Sequence, residues 1–240
     1  MSGHSKWATI KRKKAKTDAQ RGKLFTRLAK EIMVAARNGG KDPEGNMQLK
    51  TAIQRAKDAN IPNDNIQRAI QKGSGELGGA NYEEFYYEGY GPGGVAVMLE
   101  MMTDNRNRTA SEIRYIFSRN GGSLGESGCV AWMFQDKGLI VVEKTEGDNN
   151  EDELMLLALE AGAEDMKTGD DSYEITTEPG EFETVREALE KSGVAIAFAE
   201  ISKIPSNTIS LEGKEAEQML KLIDAFEEHD DVQNVYTNFE

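Results

Sequence analysis

The chain has one cysteine, Cys129, and two histidines, His4 and His229, in 240 residues. A lone thiol excludes an intramolecular disulfide framework and fits a reducing cytoplasm, which is the expected location. Two histidines and one cysteine are too few to build a zinc site by themselves. No Gly-Lys-Ser or Gly-Lys-Thr occurs, so there is no Walker loop. No apolar run approaches the ~20 residues that a membrane span needs. The N-terminus lacks the apolar stretch of a secretory signal, and it is Lys-rich where a mitochondrial transit peptide is Arg- and Ser-rich. A Ser-His or Cys-His nucleophile would have to recruit His4 from a basic arm or His229 from an acidic helix end, poor places to hold catalytic geometry. These absences predict no catalytic residue, no cofactor, no metal, no small-molecule substrate and no membrane partner.

What the chain does have is charge sorted by position. Residues 1–41 carry twelve Lys/Arg against two acids, Asp18 and Glu31, a surplus of ten. The formal net charge of the whole is −13, so residues 42–240 carry −23. A basic head on an acidic body is attracted to a polyanion through the head alone. The competing reading of such a head is a solubilising lysine tail. A hydrophobic content of 38% with 30% charged residues describes a soluble globular protein of two or three domains.

Periodicity predicts a helix over 17–39, with Thr17 and Gln20 as a capping box and Gly39 as its end. At about 100° per residue, Leu24, Phe25, Leu28, Ile32, Ala35 and Ala36 share one face, and Lys23, Arg27, Lys30 and Arg37 a narrow stripe opposite. A stripe of one sign points to a binding surface. Shorter helices follow over 46–59 and, capped by Asn63, up to Gly73, completing a three-helix bundle. Gly73 to Ala80 reads as a Gly-rich linker.

Beyond it the pattern becomes α+β. Strands are predicted over 83–89 and 95–103. A helix capped by Thr109 and Glu112 runs to Gly121-Gly122, and a strand follows over 130–134. A β-α-β-β-α-β unit comes next, with strands 138–143, 165–168, 173–177 and 195–201 and helices 151–161 and 181–192. A strand (208–211), a helix (214–228) and a strand (232–239) close the chain. The expected architecture is an N-terminal three-helix bundle followed by two split β-α-β (ferredoxin-like) domains, one inserted in the other. The domain boundaries are 1–78, 79–134 with 205–240, and 135–204.

Gly89-x-Gly91-x-x-Gly94 matches the dinucleotide fingerprint, but Pro92 lies inside it and an apolar strand follows where the helix should be. A Gly/Pro hairpin loop is the better account. Trp7 sits in Gly3-His4-Ser5-Lys6-Trp7, where an aromatic among cations suits stacking on an unpaired base; the alternative is an anchor folded onto the bundle. Arginine is scarce after residue 81, and four of the five, Arg106, Arg108, Arg114 and Arg119, lie in one short stretch. Asp104 to Thr109 reads as a loop entering a helix N-terminus, a place suited to phosphate oxygens. Salt bridging to the surrounding acids is the other reading.

These residues carry a resemblance. Gly3-His4-Ser5-Lys6-Trp7, Arg21-Gly22-Lys23-Leu24-Phe25, Tyr87-Glu88-Gly89-Tyr90-Gly91-Pro92-Gly93-Gly94, Asp104-Asn105-Arg106-Asn107-Arg108-Thr109, the stretch from Ala158 to Asp165 and the stretch from Asp230 to Tyr236 all fit the pattern of the YebC family, end to end. The family includes a mitochondrial translational activator of cytochrome c oxidase subunit I. Its bacterial members bear the label of probable transcriptional regulators. The resemblance implies a three-domain fold and either a ribosome-associated factor that relieves stalling at proline-rich stretches or a DNA-binding regulator.

The leading expectation is a non-enzymatic translation factor contacting ribosomal RNA through Lys6, Trp7, Lys11, Arg12, Lys13, Lys14 and Lys16 of the arm, through Lys23, Arg27, Lys30 and Arg37 of the first helix, and through Arg106 and Arg108. The alternative is a duplex-DNA regulator whose helix-turn-helix-like pair (residues 46–72) offers Asn65, Gln67, Arg68, Gln71 and Lys72 as base readers. Against it, residues 42–80 hold five basic and five acidic groups. A third reading, an interaction module working through its acidic faces, has no distinctive residue behind it.

Overall fold

The computed structural model describes residues 19–77, 82–144 and 151–240. The arm and Thr17 of the expected capping box therefore lie outside the described residues. The chain forms two compact units: Val130–Leu211 with Tyr236–Glu240 make one, and the helices and strands before Val130 together with Glu212–Val235 make the other.

The N-terminal helices are α1 (Ala19–Gly39), α2 (Met47–Asp58) and α3 (Asn63–Gly73). Their shared core is Leu28, Ile32, Ala35, Ala36, Leu49, Ala52, Ala56, Ile61, Ile66, Ala69 and Ile70. Small residues on α1 and α2 let the helix axes approach closely, and Gly73 extends this to the end of α3, where a Cβ would run into the Met33 carbonyl. Asn46 caps α2, its side chain accepting the Leu49 N–H at 3.1 Å. Two local expectations fail. Leu24 is 43% exposed, one turn before the packed stripe begins. Asn63 does not cap α3; Pro62 occupies the cap position, and Asn63 is the first helical residue.

The same unit continues with β1 (Glu83–Tyr90), β2 (Ala96–Thr103), α4 (Arg106–Arg119) and β3 (Ser123–Leu124). After the inserted unit come α7 (Gly213–Glu227) and β8 (Val232–Thr237). The sheet order is β3-β1-β2-β8, with β1 and β2 an antiparallel hairpin pairing Glu83 with Thr103 and Tyr90 with Ala96. Its connection is a tight turn in which Gly93 and Gly94 take φ of 66° and 76° and the Gly91 N–H reaches the Val95 carbonyl at 2.8 Å. The fingerprint-like glycines thus lead into a strand, leaving no helix N-terminus for a pyrophosphate. Helices α4 and α7 pack through Phe117 and Phe226, edge to face at 4.7 Å.

The inserted unit holds β4 (Phe134–Glu143), α5 (Glu151–Glu160), β5 (Ala163–Thr168), β6 (Ser172–Thr177), α6 (Phe182–Lys191) and β7 (Ile196–Pro205). The order β5-β6-β4-β7, antiparallel throughout, is the split β-α-β arrangement expected from the sequence. Ile140, Val142, Ile175, Leu154, Ala158, Val185 and Leu189 fill the space between sheet and helices. The fold is mixed α+β, with seven α-helices and two four-stranded sheets among the described residues.

Two apolar runs do not become strands. Residues 130–134 do not form one: Ala131–Met133 is a 3-10 turn, and β4 begins at Phe134. Residues 208–211 contribute only a single parallel bridge, Ile209 to Phe239. Helix α4 begins earlier than expected, because Asn105 caps it by accepting the Arg108 N–H at 3.1 Å. Thr109, read as its capping residue, is instead buried in the first turn.

Candidate nucleic-acid interface

The arm residues Lys6, Trp7, Lys11, Arg12, Lys13, Lys14 and Lys16 lie outside the described residues. The basic stripe of α1 lies within them, and it faces the protein's own backbone. Lys23 Nζ donates to the Glu228 carbonyl at 2.7 Å, and Arg27 donates to the Glu227 carbonyl. Arg37 donates to the Tyr82 carbonyl at 3.2 Å. Lys30 is 5% exposed and donates to the Asp230 carbonyl at 2.8 Å and to Asp231 Oδ1 at 2.9 Å. The last carbonyls of a helix have no partner within it and favour positive charge. Helix α7 has no basic residue in its own last turn. Two cations of α1, Lys23 and Arg27, supply what α7 lacks, and Lys30 binds just beyond the helix end. A nucleic acid reaching Lys23, Arg27 or Lys30 would have to displace these partners.

Asp231 is the hub of this docking. Its Oδ2 accepts Thr103 Oγ1 at 3.0 Å, Thr109 Oγ1 at 2.9 Å and Arg108 Nη2 at 2.7 Å. Burial alone would raise its pKa; donors from Arg108, Lys30 and Thr109 and the Lys30 charge outweigh that and hold the carboxyl well below the usual range. The Asp231 N–H donates to His229 Nδ1 at 3.2 Å, so the proton of the neutral ring sits on Nε2, 2.9 Å from Glu112 Oε2. Glu112, His229 and Asp231 have metal-ligand types within 4.8 Å of one another. Lys30 and Arg108 already occupy the Asp231 oxygens, so a metal ion would face two cations; the trio does not fit one. No sequence signal in a single window marked Asp231. Its only trace is that the two stretches holding Asp104 to Thr109 and Asp230 to Tyr236 both follow one family pattern.

The α4 arginines divide. Arg108 is bound to Asp231, with Asp104 at 3.3 Å and Glu112 at 4.0 Å. Arg106 lies over the Phe85 ring at 4.1 Å and 3.6 Å from Glu83, with 57% of its side chain exposed. Among the described residues, the Arg114 guanidinium has no hydrogen-bonding or ion-pair partner, and that of Arg119 meets the Tyr115 hydroxyl at 3.2 Å. Cys129, the one thiol, is raised by burial and then by Glu88, which disfavours the thiolate a nucleophile requires.

A second electrostatic feature opposes the docking. Glu31 on α1 is raised by burial, partly offset by Arg55 at 3.7 Å, and further raised by Glu100 and Glu84 of the sheet. Glu84 is itself raised by desolvation and then by Glu100. A carboxyl whose folded pKa is raised contributes stability that is full below its unfolded value and lost as pH rises through the folded one. The melting temperature should therefore climb as pH falls from 7 toward about 5. Glu84→Gln should flatten that climb; a variant with the parent's slope would show that Glu84 takes no part.

A helical bundle docked through its charged face and two four-stranded sheets with their helices define a mixed α+β protein. The chain belongs to the TACO1/YebC family: residues 5–76 match its N-terminal domain and residues 82–239 its second and third domains. It is 73% identical over 240 residues to a probable transcriptional regulatory protein of Pelotomaculum thermopropionicum, covering all of this chain and 99% of that one. A protein of the same description from Natranaerobius thermophilus is 61% identical, across all of this chain and 96% of its own. The crystal structure of a conserved hypothetical protein from Aquifex aeolicus matches with a TM-score of 0.83 at 53% identity, covering 98% of this chain and 97% of that one.

Proposed function

We propose that this protein is a non-enzymatic regulator that binds nucleic acid through its arm, and that its target is ribosomal RNA. The observation carrying this reading is the charge segregation: Lys6, Lys11, Arg12, Lys13, Lys14 and Lys16 precede the first acid of the chain, Asp18. The acidic remainder repels a polyanion, so most of the attraction comes from the basic end. On this reading the protein is a cytoplasmic, ribosome-associated translation factor that relieves stalling on proline-rich stretches. The division into domains at residues 78, 134 and 204 belongs to the same proposal. Among the described residues no helix is long and apolar enough to cross a membrane.

The second reading, a duplex-DNA regulator, is favoured by the description of the relatives and by the exposure of Asn65, Gln67, Arg68, Gln71 and Lys72 on α3. Two of the five cations nearby are already paired, Lys50 with Glu44 and Arg55 with Glu31. Binding of the chain and of a Gln67→Ala/Arg68→Ala variant to purified ribosomes and to duplex DNA, at one salt concentration, separates the readings. The ribosome reading expects both to pellet with ribosomes alike. A loss of ~1–3 kcal/mol in the variant on one DNA sequence, and little on others, would establish the second reading instead.

A further inference from the structure

The outward face of α4 carries positive charge and an exposed ring. At about 100° per residue, Asn107, Ser111, Arg114, Tyr115 and Ser118 fall on one side of the helix, with Arg119 at its margin. All six are exposed, Tyr115 by 61%. None is acidic, although Asp and Glu outnumber Lys and Arg by 42 to 29 in the chain. The one acid of the helix, Glu112, is turned to the flank, where it meets His229 and Arg108. The opposite side, with Thr109, Ile113 and Phe117, is buried.

We infer that this face is a docking surface for single-stranded RNA, with Tyr115 as the stacking platform and Arg114 and Arg119 as phosphate contacts. The inference rests on the nucleic-acid reading above and adds to it a second surface, remote in sequence from the arm. The argument is charge complementarity joined to an exposed ring. A large aromatic held in water on a helix gains nothing from burial in the fold, whereas a ring beside two cations offers the stacking-plus-phosphate combination that binds single strands without reading sequence. Arg114 and Arg119 are the two arginines of α4 with no carboxylate partner among the described residues. Their charge is not neutralised as that of Arg106 and Arg108 is. They lie five residues apart, about 7.5 Å along the helix axis. Tyr115 lies between them in sequence, and its hydroxyl accepts from Arg119 at 3.2 Å. Ser111 and Ser118 direct their hydroxyl protons to the carbonyls of Asn107 and Arg114, which leaves oxygen lone pairs facing outward as acceptors for sugar hydroxyls.

The test uses the full chain and a labelled, mixed-sequence single-stranded RNA of about 16 nucleotides, titrated over a range of salt. Tyr115→Ala should weaken binding by about five- to a hundredfold, and Tyr115→Phe should bind as the parent does, since stacking needs the ring alone. Arg114→Ala/Arg119→Ala should lower the slope of log affinity against log salt by about 1.4, the value for two single-strand phosphate contacts. Because all three side chains are exposed, melting temperatures should stay unchanged. Parent-like binding by every α4 variant, beside a lysine-to-alanine arm variant that has lost affinity, would overturn the inference and leave the function reading standing. A parent chain that does not bind RNA would overturn both. Tyr115→Phe as weak as Tyr115→Ala, or an equal loss on duplex DNA, would overturn the assignment of a stacked single strand.

Discussion

Asp231→Ala should destabilise the fold by about 3–5 kcal/mol, the cost of leaving a buried ammonium without its counter-ion. Both side chains of the pair are enclosed, Lys30 at 6% and Asp231 at 7% exposure. Without the carboxylate, Lys30 Nζ keeps the Asp230 carbonyl at 2.8 Å, a long contact to the Met102 carbonyl at 3.4 Å and the Tyr82 ring at 5.2 Å, none of which carries a charge. Arg108, Thr103 and Thr109 lose their common acceptor as well. The reverse change, Lys30→Met, should be far milder, because Asp231 retains the arginine and both hydroxyls while the methionine fills the lysine's apolar path. Thermal unfolding should separate the two by roughly 10 °C. The pH dependence has a definite sign. The Asp231 carboxyl is depressed in the folded state, so its contribution is full above the ordinary carboxylate range and lost as pH falls through the folded value. The gap between parent and Asp231→Ala should stay constant near neutrality and shrink below about pH 4. Equal costs for Asp231→Ala and Lys30→Met would show that the pair carries no such asymmetry.

Local patterns in the sequence located most elements and missed what joins them. The three N-terminal helices were legible because their apolar positions recur at helical spacing, and the inserted unit because short strands and helices alternate between Gly and polar breaks. The cap of α4 lies four residues before Thr109 because two caps compete. Asn105 and Thr109 both have capping side chains, and Thr109 is drawn inward by Asp231. The run at 130–134 looked like a strand by composition, yet Trp132 is 73% exposed and the backbone turns there to enter β4. The basic stripe of α1 was visible as a one-sided surface. Its destination was not, because the carbonyls and carboxylate it reaches lie about 200 residues further along the chain. No sequence window holds both halves of that contact. The resemblance covering the whole chain could name the family but not the partners of individual side chains.

Since Lys23, Arg27 and Lys30 are engaged with α7 and Asp231, the arm is the larger remaining source of positive charge. Replacing Lys11, Arg12, Lys13, Lys14 and Lys16 with alanine should weaken binding to all RNA sequences alike, the mark of phosphate contacts rather than base readout. Each lost single-strand phosphate contact removes about 0.7 from the slope of log affinity against log salt, so five would remove about 3.5. The folded body should be indifferent, and the variant should melt with the parent. The decisive measurement is that slope, determined for the parent and the arm variant on purified ribosomes over the same range of salt. The account predicts a steep dependence in the parent and one flatter by several tenths to a few units in the variant, with affinity lost most at low salt. Equal slopes and equal affinities would show that the arm is a solubilising tail and would contradict the account.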